Sequence, residues 1–336
     1  RRQRQMCIRD RSYMPGQLPH SQAVFSKKDD HVILTILILT YKRPQRCADF
    51  LISLSKIYQK FHKLVDILLI EDTGDTSLRV DSFPSYPYRH IYHKENLGFA
   101  ESLIQGMTMA LGKYVMYVAD DDLISIEGFQ SLLTYLGSHE PFFCSTLLYF
   151  SNKMGRRGRL LDEKIVVEDF FEASFHAPGL VFRTSFAHDF IRSSIFPVLK
   201  SHYFFSIFPQ SVFALCCLYS GCEGRWLPFE VVLEANPMPS NLTDSRGRSY
   251  KDLISRISQL DSFYNILADL RGYYGSANYY PVLYYWDRKA LGDLYFQIST
   301  HAPNLAPLLM HSCSVLLLAF KNGPQYFCAA FLNFSK

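Results

Sequence analysis

From His31 onward, unbroken apolar runs alternate with stretches in which apolar residues recur every three or four positions. The first kind has the length of strands buried on both faces, the second the period of amphipathic helices. Val32–Thr40 (VILTILILT) reads as a strand, broken by Tyr41-Lys42-Arg43-Pro44. Phe50, Leu51, Leu54, Ile57 and Tyr58 then mark one helix over Arg46–Phe61. A second strand, Leu64–Ile70, ends in the acidic turn Glu71–Ser77, and a short strand follows at Arg89–His93. A helix opened by Gly98 runs to Leu111 and leads into the strand Tyr114–Ala119, which ends at Asp120-Asp121-Asp122. Next come a helix over Ile126–Leu136, strands at Phe142–Phe150 and Gly179–Phe182, a buried helix over Ser211–Tyr219, and a strand or extended edge at Trp226–Leu233. This alternation predicts an open α/β fold with a mostly parallel sheet flanked by helices. After Pro237-Met238-Pro239 the pattern turns helical, over Tyr250–Leu270, Pro281–Thr300 and Leu305–Phe320. The predicted organisation is a leader over 1–30, an α/β domain over 31–240 and a helical C-terminal region over 241–336.

Composition narrows the function classes. A hydrophobic share of 48% over 336 residues excludes a disordered chain, and the 27 Phe and 22 Tyr are expected mainly in the core. The formal charge of +4 comes from one place, residues 1–11 (RRQRQMCIRDR). Set aside their five arginines and Asp10, and the 35 basic and 31 acidic residues of the chain fall to 30 of each. That segment resembles translated sequencing-adapter read-through and is read as a leader outside the fold. A balanced chain whose one basic cluster is Arg156, Arg157 and Arg159 argues against a nucleic-acid binder, because phosphate contacts need grouped Lys and Arg. Eight cysteines without a CxxC pair support neither a zinc ribbon nor a redox motif, and reduced cytosolic thiols are expected.

With no secretory signal evident, the protein is expected in the cytoplasm, and the sequon at Asn241 carries little weight. Ala302–Phe320 lacks Asp, Glu, Lys and Arg, but Pro303, Asn304, Pro307 and His311 argue against a spanning helix. A packed terminal helix is expected there, with peripheral contact to the inner face of the cell membrane through the C-terminal region as the alternative.

In open α/β sheets ligands bind where strands end at their carboxyl edge. Here three strand ends carry polar or acidic residues: Thr40-Tyr41, Glu71-Asp72 and Asp120-Asp121-Asp122. One carboxylate after a strand is commonly a helix cap, a role open to Asp122 or Ser125. Three adjacent carboxylates repel one another unless a cation or hydrogen-bond donors neutralise them. Mg²⁺ or Mn²⁺, held by one or two carboxylates plus substrate phosphates, suits such a triplet.

In order and spacing these residues resemble glycosyltransferase family 2, enzymes of the GT-A fold. Thr40-Tyr41-Lys42-Arg43 matches the family's first turn, and Glu71-Asp72-Thr73-Gly74-Asp75-Thr76 matches its acidic second turn loosely. Asn96-Leu97-Gly98 matches an N-x-G helix opening, and Gly112-Lys113-Tyr114 through Asp122 matches a G-x-Y strand running into D-x-D. The resemblance implies a metal-dependent inverting transferase that moves a sugar from a nucleoside diphosphate sugar to a glycan or lipid-linked saccharide in surface-polysaccharide synthesis. It places Thr40, Tyr41, Arg43, Glu71, Asp72, Asn96, Gly98, Asp120 and Asp121 around the donor. Asp120 and Asp122 would hold the metal.

The family commonly places an E-D pair, its Asp the general base, at the start of a helix that ends in Gly. Counting back from Gly221, those two positions here are Pro209 and Gln210, and glutamine takes no proton at neutral pH. His176, Asp189, His202 and Glu230 are the nearby alternatives, with His176 and His202 preferred. Ala177-Pro178-Gly179-Leu180-Val181-Phe182-Arg183 resembles the family's acceptor-side segment, and Arg183 or the Arg156 loop is a candidate diphosphate contact. A chain without its base also fits a non-catalytic nucleotide-sugar or glycan-binding module. A phosphate-transfer enzyme is disfavoured for want of a Walker-type glycine loop.

Overall fold

The computed structural model describes residues 31–74, 86–145, 163–234 and 253–287. The leader, the Arg156 cluster, Asn241, the predicted helix Leu305–Phe320 and most of Pro281–Thr300 lie outside the described residues.

The strands are β1 (Leu34–Thr40), β2 (Val65–Glu71), β3 (Arg89–Tyr92), β4 (Tyr114–Ala119), β5 (Asp122–Ile124), β6 (Phe143–Ser145), β7 (Lys164–Ile165), β8 (Leu180–Arg183), β9 (Gly224–Trp226) and β10 (Val232–Glu234). Eight form one sheet in the order β3-β2-β1-β4-β8-β6-β9-β7, and β10 pairs with β5. β3, β2, β1 and β4 run parallel, while β8 runs antiparallel to both β4 and β6. Every residue of β1 is buried, as its apolar run requires. Alternate side chains feed two cores: Leu34, Ile36 and Ile38 face one, Leu37 and Leu39 the other.

The first core is closed by α1 (Pro44–Ser53), α2 (Ser55–Phe61) and α4 (Ile126–His139). Where the periodicity predicts one helix over 46–61, the structure has two. The Ser53 hydroxyl bonds back to the Phe50 carbonyl at 2.7 Å, and the chain kinks at Leu54. The second core is closed by α3 (Phe99–Met109) and by α5 (Phe170–Ser174), α6 (Thr184–Arg192), α7 (Phe196–Lys200), α8 (Tyr203–Ile207), α9 (Pro209–Tyr219) and α10 (Leu253–Tyr274). Here the aromatic content is buried: Phe170 stacks on Phe263, and Phe171, Phe204 and Phe263 surround Trp286. The chain is helical again over 279–287. Among the described residues no helix is long and apolar enough to cross a membrane.

The expected run Trp226–Leu233 is divided between β9 and β10. Pro228 in its middle has no N–H to give a ladder. Gly112, by contrast, sits where any side chain would collide, because a Cβ there would stand 2.6 Å from the Thr35 nitrogen. That close approach seats the start of β4 beside β1 and carries its far end to the edge where the acids lie.

Candidate functional site

Because β1, β2 and β4 are parallel neighbours in register, their carboxyl ends meet: Thr40 lies opposite Glu71, and Leu39 opposite Ala119. The Thr40 hydroxyl donates to Asp120 Oδ2 at 2.6 Å, and the Asp72 N–H donates to the Thr40 carbonyl at 3.0 Å. The Asp120 side chain is wholly buried, and its Oδ1 stands 2.8 Å from Arg43 Nη2 without an aligned hydrogen bond. Arg43 Nη1 also donates to Asp121 Oδ2 at 2.8 Å, with Arg46 at 3.7 Å from the same oxygen. One guanidinium thus bridges two of the three aspartates. Burial still pushes the Asp120 carboxyl up to about 6, against the pull of Arg43 and Thr40.

Asp72 is held differently. Its Oδ1 accepts from the Leu97 N–H and its Oδ2 from the Gly98 N–H, both at 2.7 Å, and His93 Nδ1 donates to Oδ1 at 2.9 Å. Burial opposes this charge, but the donors outweigh it and hold the carboxyl below its usual value. On its other side the His93 ring meets Gln105 Oε1. Burial would lower the His93 pKa, yet the bonds to Asp72 and Gln105 keep it raised, consistent with an imidazolium that donates from both nitrogens. Asp72 therefore locks the Asn96-Leu97-Gly98 turn at the start of α3. Asn96 Oδ1 accepts from the Gly98 N–H at 2.9 Å, and Gly98 itself sits at φ +86°. Glu71 is also buried. His90 Nε2 donates to its Oε2 at 2.9 Å, while Oε1 has no hydrogen-bond partner among the described residues.

Tyr41 is exposed at the mouth, with Lys42 Nζ 5.2 Å above its ring, and Lys42 takes a left-handed φ of +54°. Asp122 is buried in the β5–β10 pair opposite Glu234, and the Ala119 N–H reaches its Oδ2 at 3.3 Å. Ser125, not Asp122, is the cap of α4, accepting from the Gly128 N–H at 3.1 Å. Among the described residues no three His, Cys, Asp or Glu side chains gather as a metal cage. The donor set fits a hard divalent cation only in the mode where one carboxylate anchors it and phosphate oxygens complete the shell.

The four base candidates separate. Asp189 is exposed and paired with Arg192, and its neighbour His188 reaches the Met107 carbonyl at the far end of α3 from Gly98. His202 is tied to Asp269 of α10 through a 2.7 Å bond from Nε2. Glu230, half-buried, precedes β10 and presses its carbonyl on Gly128. His176 lies on the loop whose Gly179 N–H donates to the Tyr117 carbonyl at 2.8 Å, beside the end of β4. Gln210 opens the buried α9, its Nε2 3.4 Å from the Phe175 carbonyl and its buried Oε1 without a hydrogen bond among the described residues. Arg183 is not at this edge. It pairs in register with Tyr114 at the opposite end of β4 and donates to the Glu140 carbonyl, because β8 runs antiparallel to β4.

Sequence reasoning passed over His90, His93, Arg46 and Tyr117. Burial and the three nearby aspartates keep the Tyr117 hydroxyl protonated far above its usual value. Its only signal was its place three residues before Asp120, on the strand that leads to it.

Residues 35–196 match the model of a family described as glycosyl transferase family 2. Among solved structures the chain is similar to S. aureus TarS 1-349 in complex with UDP-GlcNAc, at a TM-score of 0.57 and 12% identity, covering 85% of this chain and 79% of that one. It is similar also to S. aureus TarS 1-349 in complex with UDP, at a TM-score of 0.50 and 14% identity, covering 81% and 74%. At such identities the likeness is one of fold, an α/β architecture of GT-A type with a mostly parallel central sheet. No curated protein matches the chain in sequence.

Proposed function

We propose, from the premise that residues 35–196 form a glycosyl transferase family 2 region on a GT-A scaffold, that the protein transfers a sugar from a nucleoside diphosphate donor to a glycan or lipid-linked saccharide, with inversion. The observation that carries this reading is the junction of Thr40, Arg43, Asp120 and Asp121 at the carboxyl edge of β1 and β4. It offers hydroxyl, carboxylate and guanidinium groups in one place, which suits a ligand that is part sugar and part diphosphate.

In this reading Glu71 Oε1 accepts from the nucleoside and Asp120 from the ribose, while Asp72 acts through the Leu97–Gly98 turn. Arg43 exchanges an aspartate for a diphosphate oxygen. Asp122 is the residue that would hold Mg²⁺ or Mn²⁺ together with the diphosphate, and a cation bound there would supply Lewis-acid stabilisation of the leaving group. His176 takes the proton of the acceptor hydroxyl as that oxygen attacks the anomeric carbon. The test is release of nucleoside diphosphate from a panel of nucleotide sugars with Mn²⁺. Release by the wild type, lost in Asp122→Ala, supports the reading, and release unchanged in that variant removes it.

Gln210 favours a second reading, a module that binds the donor and transfers nothing, since an amide stands where the family places its base. Donor binding without turnover on any acceptor would select it.

A further inference from the structure

α9 ends in a Schellman turn. The Cys222 N–H donates to the Cys217 carbonyl at 3.0 Å, the Gly221 N–H donates to the Leu218 carbonyl at 3.1 Å, and Gly221 between them takes φ +80°. In this motif the side chain two residues past the cap folds back on the one five positions earlier in the turn, commonly as an apolar contact. Here both are thiols, so the turn brings the Cys217 and Cys222 side chains to the same place. The Ser220 hydroxyl also reaches Cys222 Sγ, at 3.4 Å, and the Cys217 carbonyl at 2.9 Å. Cys217 is fully buried and Cys222 half-buried, so the two sulfurs differ in access as well as in proton load.

We infer that Cys217 and Cys222 form a dithiol site that a peroxide oxidises to an intramolecular disulfide, with Cys222 as the attacking and Cys217 as the resolving sulfur. Cys222 thiolate attacks the peroxide; an S–O bond forms, the O–O bond breaks, and the leaving hydroxide or alkoxide takes up a proton. The sulfur is oxidised by two electrons and the peroxide reduced. Cys217 sulfur then attacks the Cys222 sulfenic acid; the S–S bond forms, the S–O bond breaks, and water leaves with the Cys217 proton.

The electrostatics support these roles. The Cys217 thiol, and to a lesser degree Ser220 and Arg183, draw Cys222 down to about 6 against its burial. Burial and the neighbouring Cys222 push Cys217 well above the usual thiol value. Cys144 and Tyr274 also face this cluster. Cys47, on α1, is by contrast held protonated by burial and by Asp120, its pKa pushed up to about 12. The pair lies near Arg183, away from the acidic strand ends, and so is separate from the donor site.

The test treats the full, reduced protein with hydrogen peroxide, blocks free thiols and maps the tryptic fragment 201–225, which holds Cys216, Cys217 and Cys222. The expected result is a fragment lighter by two hydrogens, with tandem spectra placing the link between positions 217 and 222. Cys216→Ser keeps the link, and Cys222→Ser abolishes it. Cys217→Ser leaves Cys222 as a sulfenic acid captured by a cyclic 1,3-dione. In the untreated wild type, iodoacetamide at neutral pH labels Cys222 about ten-fold faster than Cys217, a reading that needs no variant to fold. A link that forms equally in Cys222→Ser, or a Cys222 that stays a free thiol under peroxide, overturns the assignment.

Discussion

Thr40 Oγ1 and Asp120 Oδ2 stand 2.6 Å apart across the ends of two parallel strands, residues 80 positions apart in sequence. This bond holds a buried carboxylate next to Arg43 with one oxygen unaligned to any donor. A site that keeps charge under cover in this way trades stability for binding.

That trade is measurable in Asp120→Asn. Burial raises the Asp120 carboxyl from 3.8 to about 6, so the folded state binds more protons than the unfolded one between those values. Stability contributed there is present at low pH and lost as pH rises from about 4 through about 6. The variant removes this loss. Its melting temperature is expected to gain on the wild type as pH goes from 5 to 7, by an amount corresponding to about 1 kcal/mol, while nucleotide binding falls. Thermal scans at the two pH values check the first part and calorimetry the second.

The Asp72–His93 pair works at both ends of the pH scale. His93 lies above its ordinary value, so its contribution is full below about pH 6.5 and lost as pH rises through the raised value. Asp72 lies below its ordinary value, so its contribution is present above about pH 4 and lost as pH falls through the lowered value. His93→Asn should flatten the alkaline decline in melting temperature. Asp72→Ala, which leaves the Leu97 and Gly98 N–H groups and His93 without their acceptor, should cost about 3 kcal/mol at pH 6.

Gly98→Ala isolates backbone conformation. Nothing lies within 4 Å of a Cβ there, so the penalty comes from φ +86° alone, about 1–3 kcal/mol. Gly112→Ala meets the Thr35 nitrogen at 2.6 Å and must displace a strand. Chemical denaturation should rank the second as the more damaging of the two.

His176→Ala should lower turnover by about 10²- to 10⁴-fold with donor affinity little changed. Asp189→Ala, on the outer surface of α6, should leave both untouched. Steady-state kinetics beside a binding titration separates these outcomes, and equal losses in the two variants would remove His176 from the base role.

The parallel half of the fold was legible because β1, β2 and β4 are apolar runs that only a strand covered on both faces can carry, and their ends gathered Thr40, Glu71, Asp72 and the aspartate triplet. β5 was not legible. It has three residues, begins inside that triplet and owes its existence to β10, over a hundred positions later. The five-residue helices α5, α7 and α8 were equally hidden, because a single turn and a half in a phenylalanine-rich segment is too short to mark a period. Within the site, Asp72 and Asn96-Leu97-Gly98 were visible as separate motifs, but not that one carboxylate clasps the other turn. The distance between them is closed only by β3 and His93. The position of Arg183 likewise depends on β8 running against β4, a direction no local pattern encodes.

The most direct test is calorimetric titration of the full chain with uridine, guanosine, thymidine, adenosine and cytidine diphosphates, each with and without Mn²⁺, in the wild type and in Arg43→Gln. Saturable binding of at least one nucleotide that strengthens with Mn²⁺ and weakens about ten-fold or more in Arg43→Gln is the predicted result. No binding by any nucleotide, or binding that neither Mn²⁺ nor Arg43 affects, would contradict a diphosphate site at the joined ends of β1 and β4.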